Sequence, residues 1–253
     1  MIDTIICGDC LEVMPQIEDK SVDMVLADLP YGVTACKWDT PIDLDALWVN
    51  WLRICKGAIV LTGTQPFTSR LVMSHPNLFK DEWVWDKQIH SNFLHAKRHP
   101  LKYHENILVF SLNSYTYNPQ PRKLSQATLE RAKYKRTITT RSPTSLYPQI
   151  ALRDGRDKTT GFPKSIISFK KDRYSAGQNQ YKTITRYHNT QKPVALFEYL
   201  IRTYTNEGDT VLDPTCGSGT TAVACRESNR HYICIEKEPE YCAIAERRVK
   251  EML

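Results

Sequence analysis

The stretch Val211–Thr221, VLDPTCGSGTT, decides the fold of this chain. A short apolar run ends at Asp213, a turn with Gly217 and Gly219 follows, and a helical pattern begins after it. Glycines let the backbone approach a ligand closely, and they leave the amides of the following helix pointing at it. The stretch therefore predicts a strand, a ligand-binding turn and a helix, although an ordinary tight connection between a strand and a helix has the same pattern.

The strand after this turn narrows the choice of ligand. The residues Tyr232–Ile235 are apolar and lead into Glu236. An acid at the tip of the second strand is where nucleotide-type folds hold ribose hydroxyls. The sequence has no Gly-Lys-Ser or Gly-Lys-Thr, which a phosphate-cradling loop needs. These features predict a ligand that contains adenosine and carries no phosphates.

Short apolar runs alternate with helical patterns in the first and last parts of the chain. This alternation predicts an α/β fold with a doubly wound, mostly parallel sheet covered on both faces. The predicted strands are Thr4–Cys7, Val22–Ala27, Ala58–Thr62, Trp83–Trp85, Ile107–Phe110, Thr210–Leu212 and His231–Ile235. The predicted helices are Asp43–Cys55, Pro66–Met73, Pro193–Tyr204, Gly219–Arg226 and Pro239–Lys250.

The alternation stops between residues 112 and 188, where the composition also changes. Residues 119–187 contain 16 Lys and Arg against 4 Asp and Glu, whereas the rest of the chain has 18 basic and 24 acidic residues. Its frequent aromatic residues favour a small subdomain over the alternative, a solvated or partly disordered loop, and a short strand at Ser165–Phe169 and a helix at Ser125–Lys135 are predicted. We therefore predict one domain formed by residues 1–111 and 189–253, interrupted by a basic insertion at 112–188 that binds a polyanion.

Composition excludes several other classes of protein. The chain of 253 residues is long enough for one large core, and no apolar run approaches the roughly 18 residues of a membrane span. Only Cys7 and Cys10 among the eight cysteines form a CxxC pair, so we expect reduced thiols and no metal site. These features predict a soluble protein of the cytoplasm that does not associate with a membrane.

Four stretches together resemble a known enzyme family. They are GDCLEVMPQIEDKSVDMVLADLPYG near the amino terminus, HNTQKPVALFEYLI, VLDPTCGSGTT and YICIEKEPEYCAIAERRV. They are similar to the amino-methyltransferases that use S-adenosylmethionine and act on adenine or cytosine of DNA. The catalytic motif precedes the cofactor motif, as in the β arrangement of this family. The resemblance implies a Rossmann-like methyltransferase sheet and a target-recognition role for the insertion, which is itself assigned by position and composition alone.

The resemblance implies a role for each residue that matches a family motif. Glu236 would hold the ribose hydroxyls, and Asp9 would accept a hydrogen bond from the adenine amino group of the cofactor, although a helix cap is an equal alternative for Asp9. Thr215 departs from the aromatic residue usual at its position. The residues expected around the methionine part and the backbone of the cofactor are Asp213, Pro214, Cys216, Gly217, Gly219 and Thr220. Those expected to close the pocket near the cofactor's carboxylate are Thr190, Lys192 and Pro193.

The tetrad Asp28, Leu29, Pro30 and Tyr31 matches the family's catalytic Asp-Pro-Pro-Tyr except at Leu29. An exocyclic amino nitrogen is a poor nucleophile because its lone pair is conjugated with the ring. Two acceptors on its N–H bonds, the Asp28 carboxylate and, as the family implies, the Leu29 carbonyl, draw it toward tetrahedral geometry. The Leu29 carbonyl does not depend on its side chain, and Pro30 restricts Leu29 to extended backbone. Tyr31 would stack on a base rotated out of the duplex.

The sequence thus predicts an enzyme that methylates N6 of adenine in double-stranded DNA, because an acid at the first tetrad position goes mostly with adenine in this family. Alternatives are cytosine N4 methylation, an RNA or protein amide methyltransferase, and a DNA-binding protein without catalysis. The family also implies a homodimer, a cognate restriction endonuclease and a bacterial or phage-infected host cell. A second basic cluster follows Trp85 and is predicted either to contact backbone phosphates or to be a solvated loop, namely Lys87, His90, His95, Lys97, Arg98, His99 and Lys102.

Overall fold

The computed structural model describes residues 2–32, 40–91, 93–134, 159–170 and 191–252. Among the sequence predictions, that for Thr190 lies outside the described residues. The chain divides into two compact units, one of residues 1–118 with 165–253 and the other of residues 119–164.

Ten strands lie in the described residues, and eight of them form one sheet in the order β1-β10-β9-β2-β3-β5-β4-β8. Strands β1, β10, β9, β2 and β3 are parallel, β5 is antiparallel to both β3 and β4, and β8 is parallel to β4. The strands are β1 (Thr4–Cys7), β2 (Val22–Ala27), β3 (Cys55–Gly63), β4 (Phe79–Ser91), β5 (Lys102–Phe110), β6 (Arg122–Lys123), β7 (Thr160–Gly161), β8 (Ile166–Ser168), β9 (Thr210–Asp213) and β10 (His231–Glu236).

Helices cover both faces of this sheet, which confirms the predicted doubly wound α/β fold. Side chains of β2 alternate between two apolar clusters: Val25 packs in a cluster with α1, α2 and α3, and Met24 packs in a cluster with α5, α6 and α7. This alternation follows from the two-residue period of a strand. The helices are α1 (Cys10–Val13), α2 (Leu44–Ile54), α3 (Phe67–Ser74), α4 (Gln126–Tyr134), α5 (Val194–Tyr204), α6 (Thr220–Glu227) and α7 (Pro239–Lys250).

Strands β4 and β5 are much longer than the sequence pattern indicates. The apolar runs predicted Trp83–Trp85 and Ile107–Phe110, whereas the strands span Phe79–Ser91 and Lys102–Phe110. Their added residues are mostly polar and exposed, and they pair with each other as a hairpin beyond the sheet. Backbone pairing in such a hairpin needs no buried side chains, so hydrophobic periodicity misses it.

The unit of residues 119–164 is smaller than the insertion predicted from composition. Its described part contains α4 and the antiparallel pair β6 and β7, in which Arg122 Nε donates to the Phe162 carbonyl at 3.0 Å. Strand β8, which also falls within the predicted insertion, pairs with β4 of the main sheet instead. The bounds 112–188 therefore do not coincide with those of the compact unit.

The seven cysteines described are free thiols, and all but Cys7 are buried. In the described ranges no group of three or more His, Cys, Asp or Glu side chains is placed to hold a metal ion. No helix in the described part of the chain is long and apolar enough to cross a membrane.

Candidate active site

A cavity of about 790 Å³ opens at the carboxyl ends of the parallel strands. The connections after β9 and β2 run in opposite directions along the sheet, so the boundary between these strands is a topological switch point. In open α/β sheets ligands bind in the crevice at such a point. The acidic residues that follow or end four neighbouring strands all line the cavity, namely Asp9, Asp28, Asp213 and Glu236.

The glycine turn before α6 has the backbone that its sequence predicts. Gly217 and Gly219 have φ angles of 54° and 79°, which are left-handed values that favour glycine. A Cβ at Gly219 would lie 2.7 Å from Ala245 Cβ, whereas a Cβ at Gly217 would meet nothing within 4 Å. Gly219 is therefore required for packing against α7, and Gly217 leaves room on the cavity wall.

Hydrogen bonds orient the carboxylates of Asp213 and Glu236. Glu236 accepts the Gly217 and Glu238 amides, each at 2.8 Å, and Asp213 accepts the Thr215 amide at 3.1 Å and the Thr221 hydroxyl. Burial raises the pKa of Glu236, and these backbone bonds oppose that shift. Burial also raises the pKa of Asp213, to about 7. Asp213 therefore changes charge near neutral pH.

The remaining residues predicted for the cofactor differ in their surroundings. Asp9 caps α1 by accepting the Leu11 amide at 2.9 Å, and its other oxygen contacts Lys237 Nζ at 3.1 Å. The helix cap is thus present, and Asp9 also lines the cavity. The bond to the Leu11 amide lowers the pKa of Asp9. Pro214, Cys216 and Thr220 line the same cavity, and Pro193 is the residue before α5.

Thr215 links the glycine turn to Asp28, the residue after β2. Its hydroxyl donates to the backbone carbonyl of Asp28 at 3.3 Å. The aromatic side chain that is usual at this position in the family would not place a hydroxyl beside the Asp28 carbonyl. The departure from the family pattern therefore adds a contact between the cofactor turn and the catalytic tetrad.

The Asp28 carboxylate is held by donors from three elements. Its Oδ1 accepts the Tyr31 hydroxyl at 2.6 Å and also the Thr62 hydroxyl at the end of β3, and its Oδ2 accepts Lys192 Nζ. Burial, followed by the charge of Asp28, raises the pKa of Tyr31 well above its usual value. Tyr31 is therefore a neutral donor. Its ring packs against Phe67 with a centroid distance of 4.9 Å.

Leu29 and Pro30 both line the cavity, but Leu29 also belongs to the core. Its residue surface is only 4% exposed, and its side chain packs in the cluster beneath α1, α2 and α3. The sequence predicts that the motif uses the Leu29 carbonyl and not its side chain. The structure shows that it contributes burial of apolar surface, while its carbonyl is a backbone group that any residue would supply.

Lys192 lies beside Asp28 and not only at the edge of the cavity. Its ammonium contacts Asp28 Oδ2 and lies 3.4 Å from Glu105 Oε2, and Glu105 Oε1 lies 3.2 Å from Lys87 Nζ. Burial alone lowers the pKa of Lys192, but the charges around it, chiefly Asp28, raise it above the ordinary range. Lys192 therefore remains an ammonium. The pocket-closing role implied by the family resemblance stays a prediction.

Sequence reasoning missed several residues of this site. Thr62 ends a predicted strand next to β2, so a polar residue at that strand end was an available signal. Glu105 precedes the apolar run of β5 and gave no signal. Lys87 was identified as a phosphate contact, but it is 3% exposed and paired with Glu105, so that identification is wrong. Arg248 of α7 was also missed, and it donates to the Ser218 carbonyl at 2.6 Å.

The residues present fit S-adenosylmethionine. Glu236 offers oriented carboxylate oxygens at the tip of β10, and Gly217 leaves the adjoining wall open. Two carboxylates suit a ligand with ribose hydroxyls and an ammonium, and apolar residues such as Pro214 and Ile42 line the same cavity. Residues 213–220 and 236–238 would hold the group.

Known DNA methyltransferases are similar to this chain over most of its length. The family model described as "DNA methylase", which covers N6 and N4 methyltransferases, matches residues 22–247. The chain is 30% identical to the DNA adenine methyltransferase YhdJ of Escherichia coli (strain K12), an alignment that covers 97% of this chain and 82% of that protein. It is 25% identical to the type II methyltransferase M.HinfI of Haemophilus influenzae, with 99% of this chain and 69% of that protein covered.

Solved structures share the fold at lower identity. The M1.HpyAVI–SAM complex aligns with a TM-score of 0.60 and 22% identity, covering 97% of this chain and 98% of that one. The cytosine-N4-specific PvuII DNA methyltransferase aligns with a TM-score of 0.61 and 16% identity, covering 97% and 85%. These likenesses confirm the Rossmann-like methyltransferase fold.

The chain belongs to the S-adenosylmethionine-dependent DNA amino-methyltransferases of the N6-adenine and N4-cytosine family. S-adenosylmethionine is its cofactor, and DNA is the substrate that this membership implies. The predicted catalytic tetrad at 28–31 precedes the predicted cofactor turn at 213–219 in the sequence, which is the β order of motifs.

Replacing Gly219 by alanine is expected to cost more stability than the same change at Gly208. Both have left-handed φ, 79° and 83°, which costs an L residue about 1–2 kcal/mol, but only the Cβ at Gly219 meets a neighbour. The contact with Ala245 should add about 1–3 kcal/mol to the loss. Urea unfolding of both variants measures this difference, and equal losses would contradict the packing argument.

Proposed function

We propose that this chain transfers a methyl group from S-adenosylmethionine to the N6 amino group of adenine in duplex DNA, with the target base rotated out of the helix. The observation that carries the proposal is the Asp28 carboxylate, held at the cavity beside the cofactor turn. An acid at this position goes mostly with adenine in the family. The relative YhdJ, at 30% identity, is a DNA adenine methyltransferase, which supports the same choice.

The contacts of Asp28 leave room for one donor from the substrate. A carboxylate has about four lone-pair positions, two on each oxygen. The hydroxyls of Tyr31 and Thr62 occupy both lone-pair positions of Oδ1. Lys192 occupies one of the two lone-pair positions of Oδ2. One position on Oδ2 can therefore accept an N–H of the target amino group.

The Leu29 carbonyl is the proposed second acceptor for that amino group. With both N–H bonds held, the nitrogen is drawn toward tetrahedral geometry, and its lone pair becomes available for attack. S-adenosylmethionine, when bound, supplies a methyl group on a positively charged sulfur. Lys192 is a charged ammonium and Tyr31 is a neutral phenol, so the proton that the product ammonium must lose passes to solvent water and not to either of these groups.

The roles of the cofactor residues are proposed from the family motifs. Glu236 holds the ribose hydroxyls and Asp9 the adenine amino group, while Lys192 and Pro193 border the carboxylate end. The methionine end lies among Asp213, Pro214, Cys216, Gly217, Gly219 and Thr220. Support comes from their positions, because each of these residues except Pro193 and Gly219 lines the one cavity.

DNA contacts are proposed for two basic segments. The first is the insertion at 112–188, proposed as the target-recognition region because of its net positive charge. The second is the β4–β5 hairpin, which has no acidic residue between Asp86 and Glu105. Lys97 and Arg98 are exposed on this hairpin, whose Ser91 and Lys102 line the cavity. A homodimer and a cognate endonuclease stay predictions from the family.

Methyl-labelled S-adenosylmethionine tests the reaction directly. Incubation with separate pools of duplex DNA, RNA and protein should label DNA alone, and hydrolysis should recover the label as N6-methyladenine. Recovery as N4-methylcytosine would establish the cytosine alternative.

Asp28→Ala should bind the cofactor normally, yet its kcat should fall by about 10²–10³-fold because an acceptor is lost. Wild-type turnover in this variant would refute the role of Asp28.

Asp213 should make cofactor affinity depend on pH. Its pKa of about 7 means that it gains negative charge as the pH rises from 6 to 8, which strengthens attraction for the ammonium of the methionine end. The ratio of wild-type to Asp213→Asn affinity for S-adenosylmethionine should therefore increase over this range. Titration calorimetry on both proteins measures this ratio. Ionisation of the cofactor affects both affinities equally, so its effect cancels in the ratio. A constant ratio would contradict the assignment.

Lys97→Gln combined with Arg98→Gln should weaken DNA binding without affecting the cofactor. Each lost phosphate contact should reduce the slope of log K against log salt by about 1, and the weakening should be similar for all DNA sequences. Fluorescence titration with duplex DNA at several salt concentrations measures the slope. Glu18→Gln, an exposed change on another part of the same unit, provides the control. An unchanged slope would exclude these two residues as phosphate contacts.

A further inference from the structure

We propose that Glu105 is a positioning residue for methyl transfer, which acts by holding the Lys192 ammonium so that one Oδ2 position of Asp28 stays open to the substrate. Lys87 in turn balances the charge of Glu105. This inference rests on the proposed function of Asp28. It concerns Glu105, which no motif of the sequence identified, and Lys87, which the sequence placed only in the basic cluster after Trp85.

The geometry is a chain of four alternating charges. Asp28 on the loop after β2 contacts Lys192, Lys192 lies 3.4 Å from Glu105 on β5, and Glu105 lies 3.2 Å from Lys87 on β4. The residues Lys87, Glu105 and Lys192 are 3%, 7% and 7% exposed. Each of these residues lines the cavity beside Asp28. The chain therefore forms part of the cavity wall.

Burial makes this arrangement informative. An isolated buried charge costs several kcal/mol, so such groups occur paired, and removal of one partner leaves the other uncompensated. Here two cations and two carboxylates alternate, and the chain is neutral as a whole. Apolar residues of similar size would satisfy packing alone. The charged side chains of Lys87, Glu105 and Lys192 are instead explained if Asp28 needs a cation held in a fixed position beside it.

The number of donors on Lys192 explains what Glu105 adds. An ammonium has three N–H donors, and one of them binds Asp28 Oδ2. Without a second carboxylate nearby, the ammonium would be free to centre on Asp28 and occupy the remaining position on Oδ2. Glu105 attracts it from the opposite side. The ammonium thus stabilises the Asp28 carboxylate while the position for a substrate N–H remains open.

The test compares single-turnover rates with saturating S-adenosylmethionine and duplex DNA. Glu105→Gln keeps the size of the side chain and removes its charge, and the rate of transfer should fall by about 10²-fold, as for a small misplacement of a reacting group. Cofactor affinity should change less than threefold, which is within about 0.7 kcal/mol. Glu82→Gln, on the exposed side of the neighbouring strand β4, is the matched control and should keep the full rate.

A double-mutant cycle separates positioning from simple damage. In a Lys192→Met background, Glu105→Gln should have no further effect on the rate, because Glu105 acts through Lys192. Independent effects that multiply, or a full rate in Glu105→Gln alone, would overturn the proposal. If Glu105→Gln does not fold, the double variant Lys87→Met with Glu105→Gln provides a second test. It keeps the site neutral, so it should fold and show the same loss of transfer rate. A full rate in this double variant would also overturn the proposal.

Failure of the proposed function has a different signature. Full turnover in Asp28→Ala would remove the role of Asp28 itself, whatever Glu105 does. Loss of turnover in Asp28→Ala with a full rate in folded Glu105→Gln would leave the role of Asp28 intact and exclude Glu105 as a positioning residue. The amount of methyl label incorporated per enzyme molecule distinguishes these results. This measurement works equally for methylation of N6 of adenine and of N4 of cytosine.

Discussion

The contact between the Lys192 ammonium and the Asp28 carboxylate joins two parts of the chain that are 164 residues apart. Asp28 follows β2 and Lys192 precedes α5, so the site forms only when the amino-terminal and carboxy-terminal parts share one sheet. The adjacent strands β2 and β9 supply that sheet, and the Thr215 hydroxyl binds the Asp28 carbonyl across their ends. The Thr215 hydrogen bond thereby links the glycine turn directly to the tetrad at 28–31.

The parallel core and its ligand turn could be predicted because local sequence determines them. Strands β1 and β2 and helix α7 begin and end where their patterns indicate, and the turn at Gly217 and Gly219 has the left-handed backbone expected of it. Each of these features depends on apolar periodicity, proline at a helix start or glycine conformation. Such signals are read from residues that are close in sequence.

The charge chain could not be predicted, because it depends on contacts between distant residues. Lys87 and Glu105 are 18 residues apart on opposite strands of a hairpin, and their sequence surroundings resemble a solvated basic segment. Pairing of β4 with β5 brings them together beside Lys192. Leu29 illustrates a different limit. The role of its carbonyl follows from the tetrad alone, whereas the burial of its side chain depends on helices α1 to α3, which are distant in sequence.

The proposed reaction requires the target amino group to lie within hydrogen-bonding distance of Asp28. A crystal structure with S-adenosylhomocysteine and duplex DNA containing the recognised site measures that position directly. We expect the amino nitrogen of a flipped adenine within about 3.2 Å of both Asp28 Oδ2 and the Leu29 carbonyl oxygen, with Lys192 still between Asp28 and Glu105. An amino nitrogen more than about 4 Å from Asp28, or a target base that remains stacked in the duplex, would contradict the account.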